Sequence, residues 1–92
     1  MTITTSTVLR RVDDVRFRAV DDETVVIRQE AAEALVLNEV AGRLLDLING
    51  QSTVGALIES LLDEYEVPED ELANDVREYL EELLATGLVT QA

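Results

Sequence analysis

The sequence predicts an α+β domain, a small antiparallel sheet followed by three helices, on three observations. The apolar period changes near Asn38: before it, apolar residues alternate or fall in short β-branched runs, and after it they recur every 3.6 residues. The strand candidates are sequence neighbours on short links, the pattern of an antiparallel meander. A chain of 92 residues with 47% hydrophobic content suits one core, because two would each be too small to hold together.

Each element has its own local signal. Residues 1–7, Met-Thr-Ile-Thr-Thr-Ser-Thr, are polar and β-branched and read as a loose tail before a single domain over 8–92. Val8 to Val12 read as a short extended piece. Val15, Phe17 and Ala19 alternate with Arg16, Arg18 and Val20, a half-buried strand. Asp21-Asp22-Glu23 is a turn signal, and Thr24-Val25-Val26-Ile27-Arg28 follows as a β-branched strand. Gln29 to Glu33 form a link, and Ala34-Leu35-Val36-Leu37 a third strand of the meander.

Asn38 is suited to cap the first helix, with Glu39 at the positive end of its dipole. Val40, Leu44, Leu47 and Ile48 mark one face, and Asn49-Gly50 supplies a left-handed stop. Ser52 or Thr53 caps the second helix, whose stripe is Val54, Leu57, Ile58, Leu61, Leu62 and Tyr65. Pro68 is placed at the first helical position of the third helix. That helix carries Leu72, Val76, Tyr79, Leu80 and Leu83 on one face and stops at Gly87. Two helices on a short link beside a small sheet give winged helix-turn-helix topology, and the apolar stripes are read first as core.

The residue inventory excludes most chemistry. With no cysteine and no histidine there is no disulfide, thiolate nucleophile, serine triad or zinc-type ligand set. All seven basic residues are arginine, so no lysine can form a Schiff base. The carboxylate runs Glu69-Asp70-Glu71 and Glu81-Glu82 fall on solvated helix positions, with nothing apolar nearby to raise a pKa. There is no phosphate loop, and a calcium loop around Gly50 would need ligands from Leu45 and Ala56. No catalytic residue, metal or cofactor is expected. Nor does any cationic-apolar leader or membrane-length apolar run appear, so the expected setting is the cytoplasm.

Charge is uneven. Against 7 basic residues stand 20 acidic ones, a net charge of −13. Residues 1–28 are neutral, with five arginines (10, 11, 16, 18, 28) and five acids, and the whole excess lies in 29–92. Three kinds of binding follow from such a domain. Winged-helix topology suggests DNA binding or transcriptional regulation, but residues 69–82 carry seven acids and one base, which a duplex would repel. An acyl or peptidyl carrier needs a serine at a helix N-terminus; Ser60 is mid-helix, and Ser52-Thr53-Val54 lacks the Asp-Ser-Leu arrangement. The third strand, with nothing after it to pair, reads either as a site where a peptide adds as a further strand or as an ordinary short edge.

A resemblance bears on that choice. The run Val36-Leu37-Asn38-Glu39-Val40-Ala41-Gly42-Arg43-Leu44-Leu45, then Asn49-Gly50 and Thr53-Val54, resembles the PqqD-like family, the recognition elements of ribosomally made, modified peptides. So do Asp63-Glu64-Tyr65-Glu66-Val67, Asp75-Val76 and Glu82-Leu83-Leu84-Ala85-Thr86-Gly87-Leu88-Val89. The resemblance implies a non-catalytic domain that holds the leader segment of a precursor peptide as an added strand. It implies presentation to a modifying enzyme such as a radical SAM protein, a protease or a cyclase. Carried over by position, the peptide would meet Ala34, Leu35, Val36 and Leu37 on the strand and Asp75, Val76, Tyr79, Leu80 and Leu83 on the third helix. The stretch Ile27 to Glu33 departs from members serving pyrroloquinoline quinone synthesis, which carry an aromatic-rich strand and a Pro-Glu turn there. Its link length is nearer to that of lasso-peptide systems, yet the glycine and aromatics typical of those before Leu-Asn are missing, which leaves the pathway open.

Overall fold

The structure is a computed structural model that describes residues 3–30 and 32–92. Met1 and Thr2 of the expected tail and Ala31 of the expected link lie outside the described residues. In chain order the elements are β1 (Leu9–Arg11), β2 (Val15–Val20), β3 (Glu23–Arg28), β4 (Glu33–Asn38), α1 (Glu39–Leu47), α2 (Val54–Glu64), α3 (Glu69–Ala85) and β5 (Val89–Gln91). The strands β2, β3 and β4 form the expected meander, a three-stranded antiparallel sheet in that order. β4 is the third strand of that sheet and is longer at both ends than the predicted 34–37.

Alternation sets the faces of the sheet. Val15, Phe17 and Ala19 on β2 oppose Arg28, Val26 and Thr24 on β3, which oppose Glu33, Leu35 and Leu37 on β4, and this set faces the helices. Asp21, with φ of +57°, makes the two-residue turn between β2 and β3; aspartate tolerates the left-handed region better than most residues. Gly42 of α1 lies directly on β3: a Cβ there would overlap Oγ1 and Cβ of Thr24. The missing side chain is therefore what lets α1 sit close on the sheet.

Helix ends follow their local chemistry. Asn38 Oδ1 accepts from the Ala41 amide at 2.9 Å, and Thr53 rather than Ser52 caps α2, its Oγ1 accepting from Ala56 at 3.1 Å. Pro68 sits one place earlier than predicted, at the N-cap of α3. Gly50, expected to stop α1, stands three residues beyond its end; its φ of +79° serves a turn that sends its amide to the Leu9 carbonyl at 3.0 Å. Gly87, with φ of +77°, does end α3, the amides of Gly87 and Leu88 returning to the carbonyls of Leu84 and Leu83 at 3.1 and 3.0 Å.

The sequence reading did not foresee β5. Leu9↔Gln91, Arg10↔Thr90 and Arg11↔Val89 pair the two ends of the domain into a separate antiparallel ribbon. Leu9, Leu88 and Val89 are thereby buried with Leu44, Leu45, Leu61, Val76 and Leu80 in one core. Before β1, the carbonyls of Thr5 and Thr7 accept the amides of Gly55 and Val54 at the start of α2, and Ile3 packs on the core.

Candidate strand-addition site

The sheet has two open edges, and their sequences treat water differently. Along β2, Arg16 and Arg18 stand exposed in mid-strand. Charges so placed discourage another strand from pairing, and two copies of β2 side by side would set arginine against arginine. Along β4, Ala34 to Leu37 carry no charge between Glu33 and Asn38. Its backbone edge is short, apolar and unguarded.

The helix expected to form the second wall, α3, packs on α2, α1 and β5. Among the described residues two polar side-chain ties join it to the sheet, one at each end of the sheet. At one end Asn38 Nδ2 donates to the Tyr79 hydroxyl at 3.1 Å. At the other, the Arg28 guanidinium donates to the Thr86 carbonyl at 3.3 Å, its Nε lying 3.6 Å from Asp14 Oδ2. Among the described residues the buried Asp14 carboxylate has no hydrogen-bond donor, and the Arg28 charge is what offsets its burial. These ties join the helix to the end of β4 through Asn38 and to β3 through Arg28.

The nine residues expected to meet a peptide fall into three groups. Ala34 and Val36 are exposed on the outer face, Val36 at 62%, while Leu35 and Leu37 are half-buried on the inner face. Asp75 and Tyr79 are half-buried on α3. Val76 and Leu80 are 0% exposed and Leu83 is 2%, so these three belong to the core. An open depression of about 710 Å³ lies at the Asn38 end of β4, between Val36, Val40 and the carboxylates of Asp22, Glu23 and Glu39. Asn38 as a wall tie and Arg28 as its counterpart went unrecognised in the sequence. The asparagine showed only its capping role, and no local signal links Arg28 to a carbonyl 58 positions away.

A second depression of about 400 Å³ lies under the β2–β3 hairpin, beside Phe17, Gly42, Arg43 and Tyr65. The cation of its lining is already engaged: Arg43 Nε and the Glu64 carboxylate meet at 2.8 and 3.0 Å, and a second nitrogen reaches Asp46 at 2.6 Å. Hydrogen bonding to Arg43 holds the Glu64 carboxyl below its ordinary value, against the opposing effect of desolvation. Burial, with Glu39 and Glu64 adding to it, pushes the Tyr65 phenol up. Among the described residues no group of three or more His, Cys, Asp or Glu side chains is placed to hold a metal ion, and no helix is long and apolar enough to cross a membrane.

Fold and site together define a small winged α+β domain with one unguarded sheet edge set beside a helix. The chain belongs to the PqqD family: the profile described as "Coenzyme PQQ synthesis protein D (PqqD)" matches residues 23–89. Among solved structures it is similar to TbiB1 in complex with the TbiA(beta) leader peptide, with a TM-score of 0.76 at 22% identity over 87% of this chain and 93% of that one. It is similar also to a lasso peptide synthetase B1 complexed with the leader peptide, with a TM-score of 0.75 at 18% identity over 89% and 96% of the two chains. The heterocyclase TruD matches with a TM-score of 0.67 at 18% identity, 94% of this chain corresponding to 12% of that larger one. At such identities the likeness shows the fold. No curated protein sequence matches the chain significantly.

Proposed function

We propose that this chain binds the leader segment of a ribosomally made precursor peptide as a strand added to β4, and presents it to a separate modifying enzyme. The observation that carries this reading is the contrast of the two edges: β2 is guarded by Arg16 and Arg18, and β4 is bare from Ala34 to Leu37. Backbone pairing along β4 would supply affinity, and alternate side chains of the peptide would fall toward Leu35, Leu37 and Tyr79. Asp75 is one of seven acids that α3 carries over residues 69–82, which favours a leader with basic residues. Membership of the PqqD family and the two leader-peptide complexes of the same fold support the reading. The same acids of α3 weigh against a nucleic-acid partner.

Backbone amide shifts test it, with the isotopically labelled protein titrated by the synthetic leader segment of a candidate precursor peptide. Residues 34–37, Asp75 and Tyr79 are expected to respond, with a dissociation constant around micromolar, roughly −8 kcal/mol. Silence of residues 34–37 under saturating peptide would refute strand addition at β4.

A further inference from the structure

The face of the sheet turned away from the helices is also unusual for this molecule. Across it run three cross-strand rows: Arg16, Ile27 and Ala34; Arg18, Val25 and Val36; Val20, Glu23 and Asn38. Val20, Ile27 and Val36 are 45, 48 and 62% exposed, and they are three of the four large hydrophobic residues so exposed among the described residues. A shallow depression of about 330 Å³ runs between Arg16, Arg18, Val20, Val25 and Ile27. An apolar surface gathered on one face, rimmed by polar groups, is the usual mark of a protein contact. Its charge is reversed against the rest of the chain: two arginines stand there against Glu23, in a protein of net charge −13. Arg16 is turned back on the carbonyls of Asp13 and Val15 at 2.9 and 3.1 Å, whereas Arg18 has no acidic partner among the described residues.

We infer that this outer face is the docking surface for the modifying enzyme, which meets it with an apolar patch bearing carboxylates opposite Arg18 and Arg16. The identity of that occupant rests on the function proposed above. Charge decides among the candidates. A symmetric pair of copies would need a self-complementary patch, and this face offers two arginines with one glutamate at its end. The leader favoured by the acidic α3 is basic, and the arginines repel it. A separate protein with an acidic, apolar surface fits. A peptide held along β4 leaves this face open, so both partners can be bound at once.

The test uses the full chain in the organism that carries it, its gene exchanged for Arg18→Glu, Ile27→Asp or Arg18→Lys. Modified peptide is read by mass spectrometry, and the purified variants are assayed for synthetic-leader affinity, thermal melting and sedimentation. R18E and I27D are expected to bind the leader and melt as wild type does, yet yield at least about tenfold less modified peptide, while R18K retains most of it. Wild-type yield from both R18E and I27D overturns the assignment. Leader affinity falling in parallel with yield also overturns it, because the face would then belong to the leader site. A concentration-dependent dimer that R18E and I27D abolish overturns it in favour of a second copy. Failure of the wild-type chain to bind leader refutes the β4 reading instead, and the yields of the variants still decide whether the outer face is used.

Discussion

The Asn38 side chain accepts the Ala41 amide through Oδ1 and donates to the Tyr79 hydroxyl through Nδ2. It thus starts α1 and ties β4 to α3 at once. Asn38→Ala removes both contacts and is expected to cost about 0.5–2 kcal/mol, most of it from the cap. Tyr79→Phe removes only the exposed tie and should cost less than about 1 kcal/mol. Urea denaturation of the two variants separates the roles, and equal losses would give the tie the larger share. At Gly42 two effects oppose each other. Alanine gains about 1 kcal/mol of helix propensity there, but overpacking against Thr24 costs about 1–3 kcal/mol. Gly42→Ala should therefore lower stability, and a rise in its melting temperature would mean that α1 can move off the sheet.

Strand and helix positions were largely legible, because each rests on local periodicity and capping. The β2–β3 hairpin, the change of period at Asn38 and the Gly87 stop of α3 all show in a few neighbouring residues. The β1–β5 ribbon was not legible, because its strands are three residues each and lie at opposite ends of the chain. On β4, adjacent amides point to opposite sides of the strand, so proline at Leu35 or at Val36 separates ladder from free edge. One of the two variants removes a donor to β3 and should lose stability. The other removes an outward donor, should melt as wild type, and should lose leader binding. Binding by that second variant at wild-type affinity, read by calorimetry, would exclude backbone pairing there.

The link from α1 to α2 through Arg43 and Glu64 has a pH signature. Because the folded protein holds the Glu64 carboxyl below its ordinary value, the pair stabilises above the unfolded pKa, and the contribution is lost as pH falls through the folded one. Both side chains are more than a third exposed, so screening keeps the effect under about 1 kcal/mol. Glu64→Gln should be slightly less stable than wild type near neutral pH and equal to it in acid, as chemical denaturation at the two pH values would show.

Over the whole molecule, a charge of −13 acts on folding and on binding with opposite signs. Raising salt from about 20 to about 300 mM screens self-repulsion and should raise the melting temperature. The same change should weaken the hold of the acidic α3 on a basic leader. Calorimetry at both salt concentrations reads both trends, and a leader affinity indifferent to salt would reduce the acidity to a matter of solubility.

The fold class, the order of sheet and helices, the lack of histidine and cysteine chemistry, and the bare strand Ala34 to Leu37 can all be read from composition or short-range pattern. Which of the nine expected contact residues reach the surface depends on tertiary packing. Val76, Leu80 and Leu83 have the same helical spacing as Asp75 and Tyr79, but packing against Leu44, Leu45 and Leu61 removes them from the surface. The tertiary structure also decided that Arg16 and Arg18 share one face with Val25, Ile27 and Val36, because strand register is a non-local property. Periodicity can say that a residue has a buried side, but only the neighbours across the sheet say what that side meets.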